Sequence, residues 1–137
     1  MNNCFLALGS NLNRPFYQLD RAIKALGHLP RTKVLRSAPF YRNPAFGRKA
    51  QPMFYNTVVH LLTGLTPEIL LDYCQKIEQK QGRIRLIQWG ARTLDIDILL
   101  YASRKIKTSK LVIPHPRMDN RDFVQIPLLQ LLNISAP

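Results

Sequence analysis

Leu94-Asp95-Ile96-Asp97-Ile98 alternates aliphatic and acidic residues with a period of two. Successive side chains on a β-strand point to opposite faces, so Leu94, Ile96 and Ile98 turn toward a core while Asp95 and Asp97 share the other face, about 7 Å apart along the backbone. The apolar run continues to Tyr101, which predicts a strand over 94–101. Before it, Thr66-Pro67-Glu68 joins an N-cap, a first-turn proline and an acid matched to the helix dipole. Ile69, Leu70, Tyr73 and Ile77 then give an apolar stripe up to Gly82, predicting a helix.

Further back, Asn56 to Leu62 reads as a strand. So does Lys33 to Tyr41, where Val34, Leu35, Ala38 and Phe40 lie between Pro30 and Pro44. Between these strands, Arg42 to Tyr55 is punctuated by proline and glycine and is longer than a hairpin turn, which marks a candidate binding loop. Leu19, Ala22, Ile23 and Leu26 follow Pro15 at helical spacing, predicting a helix over 15–26 with Gly27 as a left-handed stop. Cys4 to Leu8 is a short buried strand that ends at Gly9-Ser10-Asn11.

The order strand, helix, strand, strand, helix, strand is the ferredoxin-like βαββαβ pattern. This is an α+β fold: an antiparallel sheet with both helices packed on one face and an active site on the other. After residue 102, Ile106, Leu111 and Ile113 suggest a short strand pair and 127–132 a short helix. With 137 residues, 46% of them hydrophobic, and no repeat or linker, one domain over 1–137 is expected.

A formal net charge of +12 costs self-repulsion unless something anionic binds, so a phosphate-bearing partner is expected. No apolar run approaches the roughly 18 residues of a membrane span, and Met1-Asn2-Asn3 does not open a signal peptide. Cys4 and Cys74 form no Cys-x-x-Cys pair, which fits two free thiols in a reducing cytoplasm.

Asp95 and Asp97 alone could be the wet side of a half-exposed strand. Their surroundings point further. Two like charges on one surface are relieved by cations, and oxygen-only ligands suit magnesium. Two such ions about 4 Å apart could clamp a phosphate chain. Arg83, Arg85 and Arg92 lead into this strand, and guanidinium forks match phosphate oxygens. The chain lacks a P-loop and the protein-kinase motif set, so the arrangement indicates phosphoryl transfer by another route.

Arg83-x-Arg85, then Trp89-Gly90-x-Arg92-Thr93-Leu94-Asp95-Ile96-Asp97, resembles the signature of the 6-hydroxymethyl-dihydropterin pyrophosphokinases. Ala7-Leu8-Gly9-Ser10-Asn11-Leu12, Phe40-Tyr41-Arg42, Gln51-Pro52-x-Phe54-x-Asn56, Pro114-His115-Pro116-Arg117-Met118 and Asn120-Arg121-x-Phe123 extend the resemblance over nearly the whole chain. It implies Mg-dependent transfer of pyrophosphate from ATP to the pterin hydroxymethyl group, in folate biosynthesis.

By resemblance, Asp95 and Asp97 hold two magnesium ions (Mg2+), and Arg83 and Arg92 meet the phosphates. Arg85 and Trp89 belong to a loop that closes over the substrates. His115 and Arg121 are further ATP contacts, and Gln75, Glu78 and Ile98 line the nucleoside pocket. Asn56 hydrogen-bonds the pterin edge, Phe54 and Phe123 sandwich its ring, and Asn43-Pro44-Ala45-Phe46 offers backbone groups to it. From the residues alone, Phe54 and Phe123 could equally be core aromatics.

Some positions depart from the family's pattern. Gln88 stands where arginine is frequent, the loop between Arg85 and Trp89 is a residue short, and Asn43 replaces a common threonine. Tyr55 replaces a smaller aliphatic, and a further short segment is expected beyond Asn133 to Pro137. The expectation is a cytoplasmic monomer acting on small molecules, with no nucleic-acid or membrane partner. The rival readings are an inactive relative that only binds nucleotide or pterin, and a basic RNA-binding module.

Overall fold

The computed structural model describes residues 1–43, 53–82 and 93–135. Arg83, Arg85, Trp89 and Arg92 lie outside the described residues, as do Pro44, Ala45 and Phe46. The elements in chain order are β1 (Asn2–Ser10), α1 (Pro15–Gly27), β2 (Thr32–Ser37), β3 (Tyr41–Asn43), β4 (Phe54–Thr63), α2 (Pro67–Lys80) and β5 (Asp95–Tyr101). Then come the short pair β6 (Ile106–Lys107) and β7 (Val112–Ile113), a 3-10 turn at Met118–Asn120, and α3 (Asp122–Ser135).

The main sheet has the order β2-β4-β1-β5, with β3 joined to the start of β4, and every pairing in it is antiparallel. On one face Leu6, Leu8, Leu61, Leu94, Ile96 and Ile98 pack with Leu19, Ala22 and Leu26 of α1 and Leu70, Cys74 and Ile77 of α2. This is the expected α+β core. Both thiols are free and buried in it, and burial pushes Cys4 up to about 12 and Cys74 higher still, so both stay protonated.

Several local expectations change. Strand 33–41 divides into β2 and β3, because Pro39 between them has no N–H to give the ladder. Gly27 is still helical and is not left-handed. His28 ends α1, its N–H donating to the Ala25 carbonyl, while Gly82 after α2 takes the positive φ of 86°. Thr66 caps α2 as expected, its hydroxyl accepting from the Ile69 N–H at 3.3 Å. Ile69 itself is 46% exposed, and the buried stripe is Leu70, Cys74 and Ile77.

The largest change is α3. It starts at Asp122 and carries Pro127 inside it, where a proline forfeits one helical hydrogen bond. Packing outweighs that cost: Val124, Leu128 and Leu131 recur at i, i+4 and i+7 and bury against Val58 and Leu99 on the second face of the sheet. The face opposite α1 and α2 is therefore partly covered, which leaves a cleft beside α3. Leu128→Ala should lower unfolding free energy by about 2–5 kcal/mol in urea titration. A loss well under about 1 kcal/mol would show that α3 is not part of the cooperative core.

Candidate active site

The strand register builds the floor of that cleft. Asn56, Gly9 and Asp95 lie in one row across β4, β1 and β5, and Val58, Ala7 and Asp97 form the next. Side chains in such rows project to the same face. The two small residues in the middle leave an amide on one side and two carboxylates on the other. Phe54 from β4, Phe123 and Val124 from α3, and Asn43, Leu99, His115 and Arg121 complete the lining.

Gly9 is required by close approach. A Cβ there would lie 2.7 Å from the Oδ1 of Asn56 and 3.9 Å from Phe54, and the first separation is too short for any side chain. Asn56 is buried at 6% exposure, and its Nδ2 donates to the Oδ1 of Asn43. This end of the cleft is thus narrowed by Gly9 and Phe54 and carries a buried amide at its edge.

At the other end, Nε2 of His115 stands 3.9 Å from Oδ1 of Asp97. The Arg117 N–H donates to Nδ1 of His115 at 3.2 Å, so the neutral ring carries its proton on Nε2, facing the carboxylate. Burial, helped by the Arg121 and Arg117 charges and opposed by Asp95, holds the His115 pKa below the ordinary imidazole value. Arg121 lies over the Phe123 ring, 5.4 Å from its centroid, which places a cation at the rim of the cleft.

Among the described residues no group of three His, Cys, Asp or Glu side chains converges to hold a metal ion. Two partly exposed carboxylates on one sheet face are the donor set available, and this suits magnesium, which keeps waters and takes phosphate oxygens for the rest of its shell. The residues present therefore fit that ion.

Gln75, Glu78 and Ile98 do not line this cleft. Ile98 points into the helix-side core, and Gln75 is exposed on α2. Glu78 is 3% exposed, with Oε2 accepting from the Ile96 N–H at 2.7 Å, so it caps the outer edge of β5. Five lining residues were given no role by the sequence reading: Ala7, Leu8, Gly9, Leu99 and Val124. The small residues at alternate positions 7 and 9 were the available signal for Ala7 and Gly9.

A polar chain, buried at its Gln18–Gln81 end, was also missed. Nε2 of Gln81 donates to the carbonyl and Oε1 of Gln18 at 3.0 and 2.9 Å, Nε2 of Gln18 donates to the Asn13 carbonyl at 2.9 Å, and Nδ2 of Asn13 donates to Oγ1 of Thr93 at 3.3 Å. It ties the end of α2 and the start of β5 to the turn after β1. The residue before the acidic strand is held in place by side chains far from it in sequence.

An aromatic-lined cleft that also holds paired carboxylates is what a phosphoryl-transfer type of site requires, and comparison with known proteins agrees. A model of the 7,8-dihydro-6-hydroxymethylpterin-pyrophosphokinase family matches residues 5–133, and the chain belongs to that family. It is 46% identical over 131 residues to the Haemophilus influenzae protein named 2-amino-4-hydroxy-6-hydroxymethyldihydropteridine pyrophosphokinase, covering 96% of this chain and 82% of that one. Proteins of the same name from Pseudomonas aeruginosa and Bacillus subtilis are 43% and 39% identical, covering 93% and 96% of this chain and 78% and 79% of theirs. No helix among the described residues is long and apolar enough to cross a membrane.

Proposed function

We propose that this chain transfers the pyrophosphoryl group of ATP to 6-hydroxymethyl-7,8-dihydropterin, as a 2-amino-4-hydroxy-6-hydroxymethyldihydropteridine diphosphokinase acting in folate biosynthesis. One observation carries the reading: a cleft floored by Gly9 and Ala7 and lined by Phe54 and Phe123 runs along the same sheet rows to Asp95 and Asp97. A ring held there points its substituent toward the carboxylates.

The hydroxymethyl oxygen attacks the β-phosphorus in line. The new O–P bond forms as the bond from that phosphorus to the α,β-bridging oxygen breaks, AMP departs, and the hydroxyl proton passes to water. Asp95 and Asp97 would hold magnesium, which supplies neutralisation of the phosphate oxygens when bound. Phe54 and Phe123 hold the ring faces, and the Asn56 amide pairs with its edge. His115 directs its Nε2–H toward the phosphate end, and Arg121 adds fixed positive charge. From the sequence, Arg83 and Arg92 act on the same phosphates, with Arg85 and Trp89 enclosing them. By resemblance the nucleoside lies at the β5 edge, outside the cleft lining, near Gln75 and Glu78, with Ile98 meeting it through backbone groups because its side chain belongs to the core. Pro44, Ala45 and Phe46 meet the ring through backbone groups. Positioning and charge neutralisation supply most of the rate, and we expect a cytoplasmic monomer.

The decisive assay measures AMP formed from ATP with and without the pterin and magnesium. AMP should appear only with both and stop on chelation. Chelator-insensitive or pterin-independent AMP formation would refute the reading. Salt-sensitive RNA binding without turnover would favour the nucleic-acid module instead.

A further inference from the structure

We propose that Phe16 is a positioning residue: from the first turn of α1 its ring holds Phe40 and Tyr55 together on the helix side of the sheet, and so fixes where Asn43, Phe54 and Asn56 stand in the cleft. The inference rests on the pterin reading above and adds to it a residue from the opposite face.

β3 is three residues long and pairs with the start of β4, Tyr41 opposite Asn56, Arg42 opposite Tyr55 and Asn43 opposite Phe54. Three lining residues of the cleft, Asn43, Phe54 and Asn56, belong to this ladder. A pairing that short is weak by itself, and Pro39 separates it from β2. Its position therefore depends on what packs against its faces.

Side chains alternate along a strand, so Tyr55 points away from the cleft while Phe54 and Asn56 on either side of it point in. On that far side Phe40 and Tyr55 pack against the helix-side core. The Phe16 ring lies against both. Its centroid is 5.6 Å from that of Phe40 with 24° between the planes, and 4.6 Å from that of Tyr55 with 46°. These are the separations of favourable aromatic pairs. One ring thus joins the residue just before β3 to the second residue of β4.

Phe16 is 53% exposed and stands apart from the buried stripe of α1, which is Gln18, Leu19, Ala22 and Leu26. Its ring adds little to the core, while both rings it meets belong to the segments that carry the ring-binding end of the cleft. A displacement of Tyr55 carries the backbone of Phe54 with it, because consecutive residues share one rigid peptide plane. A shift of about 1 Å at a positioned group is enough to weaken its action many-fold.

The test compares Phe16→Ala, which removes the ring, with Phe16→Tyr, which keeps it, and with Ile69→Ala, which trims a similarly exposed side chain on α2, 46% accessible. Phe16→Ala should raise KM for the pterin by about tenfold, with kcat and the KM for ATP within about threefold of the native protein. Phe16→Tyr should recover the pterin KM to within about threefold, and Ile69→Ala should leave it there. In the substrate-free protein, backbone amides of the β3–β4 ladder should exchange hydrogen about tenfold faster in Phe16→Ala, with those of β1 and β5 unchanged. Ile69→Ala should not speed the ladder amides. An unchanged pterin KM in Phe16→Ala would overturn the proposal, as would ladder amides that exchange at the native rate. An equal rise in pterin KM in Phe16→Tyr or Ile69→Ala would also overturn it, by tracing the loss to general weakening of the fold. Absence of AMP formation by the native protein would sink the pyrophosphokinase reading alone, and the amide exchange would still decide whether Phe16 holds the ladder.

Discussion

Asp97→Ala should lower turnover by at least about a thousandfold, as loss of a principal charge stabiliser does at preorganised sites. The magnitude follows from how few acids the cleft has. Among the described residues Asp95 and Asp97 are the two carboxylates that line it, and the proposed mechanism uses both to gather divalent cations around a polyphosphate. The fold should survive, because Asp97 sits on the partly exposed face while the core under β5 is made by Leu94, Ile96 and Ile98. Single-turnover AMP formation read beside thermal unfolding separates the two effects. Near-normal turnover in a folded Asp97→Ala protein would remove the metal role from the mechanism.

Gly9→Ala should reduce kcat/KM for the pterin by roughly a hundredfold, the scale on which a displacement of about 1 Å acts in a positioned site. The added methyl meets Oδ1 of Asn56 at 2.7 Å and must push the amide away from the edge it reads. Since β1 is central and Asn56 is hydrogen-bonded to Asn43, the strain has little room to relax. The loss should appear chiefly in pterin KM, with ATP binding near normal by equilibrium titration. Equal losses for both substrates would mean that the strand itself had shifted.

Both predictions concern residues whose legibility in the sequence differed. Asp95 and Asp97 announced themselves, because alternation on a strand is a local property and places two acids together whatever the rest of the chain does. Gly9 read only as the end of a strand. Its necessity comes from Asn56, 47 positions away and brought beside it by the β1–β4 register. Glu78 is a similar case: its carboxylate accepts from the Ile96 N–H at the edge of β5, a partner 18 positions away that no local pattern names.

Helix ends and helix packing divide the same way. Thr66 starts α2 by accepting from the Ile69 N–H and Pro67 by its fixed φ, both within one turn, so that start was readable. The sequence reading began the last helix at Pro127. The burial of Val124, Leu128 and Leu131 against the second sheet face carried the helix back to Asp122. Likewise Pro39 divided a strand that apolar pattern alone made continuous.

By itself, then, the sequence determined the order of the elements, the side of β5 on which the acids lie and the family signature, since each depends on spacing along a few turns or residues. The tertiary structure decided where α3 packs, that Gly9 must be a glycine, and how Asn43 meets Asn56. Those are contacts between distant segments, and their energies exist only after the sheet has set the register.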